Sequence, residues 1–402
     1  MARIARAEVF APEEVAIIHV MNRVVRRCFL LGIDPVTGKN FDYRKVMIEK
    51  LLRRMAGHFG IDLLGFAILS NHFHLILRSR PDVVATWDDT EVARRWLMLC
   101  PVRKDGEGNP EEPNEMELNS LRNDAEKLKM IRRRLSDIGW WMRLVCQQIA
   151  MKANREDREI GKFWQSRFKA VRLLDEQAIL ACAAYVDLNP IRAALAETLA
   201  DSDFTSIQRR IQATEPASPI PKTNEGLDAP AATPQPSRVG EAEVGGSIGS
   251  VNATQGEPEP VRATVQHPFS LIPDGFLSPL TLDERGGELG PVPNAAGTRC
   301  SDKGFLPMSL GDYRQLLEWT ARHLGSDKAG VAPPTIAPIL RRLSLDPQAW
   351  CELVGSFGRL FYNVAGSPQT VDATPSRLTQ QRFYLRAAAR KLFTASPDAS
   401  SA

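Results

Sequence analysis

Prolines divide this chain before any other signal does. Thirteen of its 28 prolines fall in residues 213–300, between Pro216 and Pro293, together with much Ala, Ser, Thr and Gly. Proline removes a backbone donor and fixes φ, so no continuous helix or central strand runs through such a stretch. Its low apolar content offers little surface to offset the entropy of ordering, so composition predicts a largely disordered connector. Apolar residues return only briefly, at Phe269–Leu282. The 402 residues therefore divide into 1–212, the connector 213–300, and 301–402.

Charge follows the same division. The chain carries a net charge of +3, but residues 1–210 carry +5, residues 211–300 carry −6 and residues 301–402 carry +4. Two mildly basic ends flank an acidic middle, which permits a nucleic-acid partner without requiring one. The longest apolar runs, such as Leu63–Leu69, are far short of the roughly 18 residues needed to span a bilayer. The N-terminus, with Glu8, Glu13 and Glu14, lacks the layout of a signal peptide, so a cytoplasmic protein without a membrane partner is expected. The six cysteines are scattered with no CxxC pair, which indicates neither a disulfide framework nor a zinc ribbon.

The first 210 residues show a mixed rhythm. Val15–Val25 reads as a strand, and Tyr43–His58 spaces Val46, Ile48, Leu51, Leu52 and Met55 at helical intervals. Ile61–Leu69 and His72–Arg80 read as an antiparallel hairpin turning at Ser70-Asn71. Thr90–Cys100 predicts a short helix, Glu115–Lys152 two more broken near Gly139, and Lys162–Leu174 another strand. Asp175 caps a helix to about Leu188, and Pro190 permits a new one over Ile191–Leu199. The fold class is α+β: a ferredoxin-like antiparallel sheet with helices on one face. Residues 301–402 read as a small all-helical accessory domain with candidates at Tyr313–Leu324, Ile336–Leu343, Pro347–Phe361 and Arg377–Phe393. On the last of these, Arg382, Arg386 and Arg390 would form a basic stripe, either a DNA-backbone grip or a solvated face.

His72-Phe73-His74 is the first chemical feature. Residues two apart on a strand point to one face, so both imidazoles could clamp a metal ion. Six histidines in this length give roughly 0.09 His-x-His triplets by chance. The competing reading is a pair of solvent-facing or core histidines. Only His19 and His58 accompany them before the connector, so further ligands must be oxygen donors or water, which favours Mg²⁺ or Mn²⁺ over structural zinc. The second feature is Tyr185, four residues before Asn189 and so on its helical face. Tyr185 is equally readable as a core tyrosine, and Asn189 as the cap of the next helix.

These residues sit in longer strings that resemble a known family. Ser70-Asn71-His72-Phe73-His74-Leu75-Ile76-Leu77 resembles the "PNHxHLL" strand of the HUH single-tyrosine transposases. Phe163-Trp164-Gln165-Ser166-Arg167-Phe168-Lys169 resembles the "WQxRYK" strand of their REP-associated branch, and Tyr185–Ala193 its "YIxxNPVRAGLV" helix. More loosely, His19, Asn22, Arg23 and Arg26 are similar to the "HVxxRxxxR" first strand. The motifs occur in the family's order over about residues 1–210. Ser70 replaces the usual proline and Ala194 the usual glycine. Residues 81–160 run longer than in compact members, with an acidic insertion at Asp105–Glu117.

The resemblance implies metal-dependent cleavage and rejoining of single-stranded DNA at hairpin-forming repeats. Tyr185 would be the nucleophile that forms a 5′-phosphotyrosine. His72 and His74 would be metal ligands, with Asn189 as third ligand or cap, and the metal Mg²⁺ or Mn²⁺. Gln165, Arg167, Lys169, Arg23 and Arg192 would contact DNA, with Gln165, Arg167 and Lys169 alternating on one strand face. Trp164 and Phe168 point to the core, and Trp140-Trp141 to helix packing rather than base stacking. A domesticated hairpin-binding protein that no longer cuts is the alternative, and monomer and homodimer stay open.

Overall fold

The computed structural model describes residues 6–25, 28–214, 272–282, 290–324, 331–376, 378–379 and 381–393. Five strands form one sheet: β1 (Ile17–Arg23), β2 (Ile61–Ile68), β3 (His72–Ser79), β4 (Lys169–Leu173) and β5 (Val364–Ala365). Their order is β2-β3-β1-β4-β5. β1 is antiparallel to β3 and β4, β2 to β3, and β5 runs parallel to β4. The β2–β3 hairpin turns where the sequence places it, with the Leu69 amide donating to the His72 carbonyl at 2.9 Å.

Helices lie on both faces of this sheet, not on one. All eight residues of β2 and seven of the eight in β3 are buried, and a strand apolar on both sides needs cover on both. His19 of β1 meets Tyr185 of the helix Glu176–Asp187. Asn22, three residues on and so on the opposite face, donates to Cys146 Sγ of the helix Ile138–Asp157 at 3.2 Å.

Local chemistry explains where most helices begin. Tyr43–His58 buries Ile48, Leu51, Leu52 and Met55, while Val46 faces out. Asp175 caps Glu176–Asp187 by accepting from the Ala178 amide at 3.0 Å. Over 115–157 there are three helices, Glu115–Arg122, Ala125–Leu135 and Ile138–Asp157. The later two start at caps Asp124 and Asp137, and Gly139 lies in a first turn rather than at a break. The strand predicted over Lys162–Leu174 is regular only from Lys169, because residues 165–167 bend. After Pro190 the helix is a single turn, Asn189–Arg192, and a further helix, Ser206–Thr214, follows.

The C-terminal residues do not stand apart as a helical domain. Leu310–His323, Ala337–Arg342 and Pro347–Leu360 match three predicted helices, but β5 joins the main sheet and one continuous apolar core includes both halves. Among the described residues of the region predicted as Arg377–Phe393, only Ala387–Leu392 is helical. Arg386 is its N-cap residue and Arg382 bridges Pro375, so the three arginines form no stripe. Arg390 instead pairs with Asp372, and Arg386 donates to the Arg359 carbonyl.

Parts of the proline-rich stretch are also built in. Residues 272–282 bury Phe276, Leu277, Ser278 and Leu280, and residues 290–300 end on buried Cys300. Arg210, itself buried, donates to the Leu64 and Ser278 carbonyls at 3.0 and 2.8 Å. The remainder of the predicted disordered connector, 215–271 and 283–289, lies outside the described residues. All six cysteines are free thiols, as their spacing indicates. Among the described residues, no helix is long and apolar enough to cross a membrane.

His58, at the end of Tyr43–His58, gives the fold a pH dependence. Burial first, then the nearby Arg95, Arg94 and Arg54, push its pKa from 6.5 to about 3. The unfolded chain takes up this proton near pH 6.5, the folded one only near 3. The contribution is therefore complete above pH 6.5 and lost as pH falls toward 3, by about 2 kcal/mol at pH 5. Urea titrations at pH 7.5 and 5 should show a smaller loss in His58→Gln than in wild type. Equal losses would remove His58 as the cause.

Candidate active site

Strand pairing assembles the site. On β3, His72 and His74 share a face, and β1 sets Arg23 opposite His72 and Met21 opposite His74. β4 sets Lys169 opposite Met21, so Lys169, Met21 and His74 form a row across three strands. The helix Glu176–Asp187 lies over this face and delivers Tyr185. The His72 and His74 rings are 5.0 Å apart, and those of His74 and Tyr185 5.4 Å, both edge to face. His74 and Tyr185, 111 positions apart in sequence, thus meet.

The histidines are neutral near pH 7. Burial holds the His19 pKa at about 4, burial and then Arg23 hold that of His72 at about 4, and burial holds that of His74 well below 6.5. Neutral imidazoles keep the lone pair that a cation needs. The Asn71 side-chain oxygen takes the Nδ1 proton of His72 at 2.7 Å, which leaves Nε2 bare. His74 Nδ1 lies 2.9 Å from His19 Nε2. Its buried Nε2 has no hydrogen-bond partner among the described residues, and neither has the buried amide nitrogen of Asn189.

Asn189 is not a helix cap. It is the first residue of the turn Asn189–Arg192, Leu188 holds the cap position, and no side-chain capping bond is made there. Two neutral imidazoles and a phenol on one side of the sheet are donors that fit a divalent ion completed by water or phosphate oxygen; the orphaned atom of Asn189 is its amide nitrogen, which has no lone pair to give, so Asn189 could ligate only through its oxygen. Among the described residues, no three His, Cys, Asp or Glu side chains form a metal cluster by themselves.

Tyr185 is half-buried and closely attended. Phe357 stacks on its ring at 5.5 Å, and the Arg192 guanidinium lies 5.0 Å from the ring centre. Arg192 also donates to the Gly355 carbonyl at 2.6 Å. Gly358 touches the hydroxyl so closely that a Cβ there would stand 3.1 Å from it. The helix Pro347–Leu360 carries Gly355, Phe357 and Gly358. Sequence reading missed all three because they lie about 170 residues from Tyr185 and have no counterpart in the resembling strings.

The remaining predicted residues sit at the edge. Gln165, Arg167, Lys169 and Arg23 are exposed, but the bend at 165–167 breaks the strict alternation of the first three. Phe168 is buried, and Trp164 packs on Phe73 while donating to the Cys146 carbonyl, so both serve the core as predicted. Trp141 is buried against Phe59, and Trp140 lies between Arg134 and Arg143, which supports the helix-packing reading. Arg26 is outside the described residues.

Ala194, at the family's usual glycine, has φ +53°, where a Cβ is unfavourable. Ala194→Gly is expected to raise stability by about 1 kcal/mol, read as a higher urea midpoint. A lower midpoint would show that chain entropy outweighs the strain.

No protein-family model matches the chain, and no curated protein does. A solved structure, that of a REP-associated tyrosine transposase bound to a REP hairpin, is similar at 12% identity, covering 53% of this chain and 86% of that one. Its TM-score of 0.31 is a likeness too slight to carry an argument about fold or chemistry.

Proposed function

We propose that this protein is a divalent-cation-dependent DNA strand-transferase of the HUH single-tyrosine type, related to the REP-associated branch, acting on single-stranded DNA at hairpin-forming repeats. The observation that carries the reading is the convergence of His72, His74 and Tyr185 on one sheet face, at 5.0 and 5.4 Å between rings. The two histidines share one string resembling that family and Tyr185 belongs to another, 111 residues beyond His74, so no local sequence obliges the tyrosine to meet the histidines.

The Tyr185 oxygen attacks the scissile phosphorus, its proton leaves, and the bond to the 3′-oxygen breaks. The products are a 5′-phosphotyrosine and a free 3′-hydroxyl. A 3′-hydroxyl attacking the same phosphorus restores the phosphodiester and the phenol, so rejoining needs no ATP. An ordinary phenol, with pKa about 10, is ionised about one part in a thousand at pH 7, a handicap near 4 kcal/mol. His72, His74 and Asn189 would hold Mg²⁺ or Mn²⁺, which supplies charge withdrawal at the phosphate and so offsets much of that handicap. Arg23 and Lys169, on the same face, contact the DNA backbone, and Gln165 and Arg167 extend that edge.

One observation favours the alternative of a hairpin-binding protein that no longer cuts. Phe357 stacks on the Tyr185 ring and Gly358 lies close to its hydroxyl, so the helix Pro347–Leu360 narrows the approach of a phosphate to that oxygen.

One experiment separates the readings. Hairpin oligonucleotides labelled at the 3′ end are incubated with protein and Mn²⁺ or Mg²⁺, then run on a denaturing gel. Cleavage retards the label as a protein adduct, because the 5′-phosphotyrosine retains the downstream strand. Hairpin binding without adduct establishes the non-cutting protein, and no hairpin binding leaves a metal-binding domain of structural role.

A further inference from the structure

We infer that His19 is a positioning residue for His74: it accepts the Nδ1 proton of His74 and so holds that imidazole with Nε2 as a bare lone pair. The consequence for cation binding rests on the reading of His74 as a ligand; the tautomer rests on the contact between the two rings and on the charges that flank them.

The two rings belong to neighbouring strands and stack at 5.1 Å with 10° between planes, His19 Nε2 lying 2.9 Å from His74 Nδ1. Two neutral imidazoles in that contact share one proton, so one donates and the other accepts. If His19 donated, His74 would carry its proton on Nε2, a buried N–H with no partner. Two cations stand by that ring: Arg23, paired across the strands with His72, and Arg192, 5.0 Å from the Tyr185 ring centre. A lone pair there faces cations favourably, whereas an N–H does not.

With His74 as donor, the unpartnered N–H is Nδ1 of His19. No charged group is set against His19, whose low pKa comes from burial alone. Its surroundings are aromatic, the rings of Tyr185 and Phe357 standing edge to face with it at 6.0 Å and at 83° and 75°. The proton therefore resides on His74 Nδ1. Free neutral histidine prefers the opposite tautomer, with the proton on Nε2, so without His19 the ligating lone pair would be lost. Histidines that bind metals generally have the other ring nitrogen fixed by such a neighbour, and removing it weakens binding about 10–100-fold.

The test uses the full chain, free of metal and labelled with ¹⁵N-histidine, with two-bond ¹H–¹⁵N correlations read at pH 8. The His74 signals are assigned by their loss in His74→Gln. Wild type should show His74 protonated at Nδ1 and bare at Nε2. His19→Leu should reverse the pattern, and His19→Gln, whose amide oxygen can accept, should restore it. A wild-type His74 protonated at Nε2 overturns the inference without any variant, as does a His19→Leu pattern identical to wild type. Titration with Mn²⁺ alone should give affinity about 10–100-fold weaker in His19→Leu and near wild type in His19→Gln. If the tautomer behaves as stated while wild type binds no Mn²⁺, His19 keeps its positioning role and the cation reading of the site falls.

Discussion

Tyr185→Phe is expected to abolish the DNA adduct while leaving the fold and hairpin binding intact. The substitution removes one oxygen, the atom that forms the bond to phosphorus. The cost to folding should be small, because the hydroxyl makes no hydrogen bond among the described residues and the ring keeps its stacking on Phe357 and its edge contact with His74. A stability change below about 1 kcal/mol, with adduct lost to the detection limit, is the expected pair of results. Persistent adduct in this variant would remove Tyr185 as nucleophile. His72→Ala, by contrast, should lower adduct yield in a way that extra Mn²⁺ partly restores, since Asn189 and His74 remain.

Asp62→Ala is expected to have the largest effect on stability, about 3–5 kcal/mol, read by urea denaturation. Asp62 is 1% exposed and accepts from two buried cations, Arg78 at 2.7 Å and Arg80 at 3.1 Å. It also accepts from the Ser301 amide and hydroxyl at 3.0 and 2.8 Å. Truncation leaves both guanidiniums without their shared counter-charge and strands two donors of Ser301. Arg80 retains Asp82, but Arg78 retains only carbonyls of Lys303 and Gly304 and the Ser278 hydroxyl. Natural domains are stable by about 5–15 kcal/mol, so the loss is a large fraction of the total. The network ties β2 and β3 to Ser278, Ser301, Lys303 and Gly304, so the same variant should open the chain around these residues to protease first. A loss below about 1 kcal/mol would mean the ion pairs merely offset their own desolvation.

Some of this was legible in the residues. The hairpin, the helix Tyr43–His58 and the Asp175 cap depend on period and capping chemistry within a dozen residues, and each appears where the pattern puts it. The shared face of His72 and His74 follows from strand period alone. Gly139 misled because a glycine was taken for a break, when the capping aspartates Asp124 and Asp137 decide it. The accessory domain misled for a similar reason: proline content describes an average, while docking is decided by a few residues, Phe276, Leu280 and Ser278 among them.

What the sequence determined by itself is local: which segments are helix or strand, which histidines share a face, and which strings resemble a family of DNA-cutting enzymes. What only the tertiary structure decided is which faces meet. It set helices on both sides of the sheet, brought His19 to His74, laid Phe357 on Tyr185 and closed Asp62 between two arginines. Side-chain periodicity fixes direction relative to the local backbone. Contacts across a hundred or more residues follow instead from how whole apolar surfaces cover one another, which no window of sequence contains.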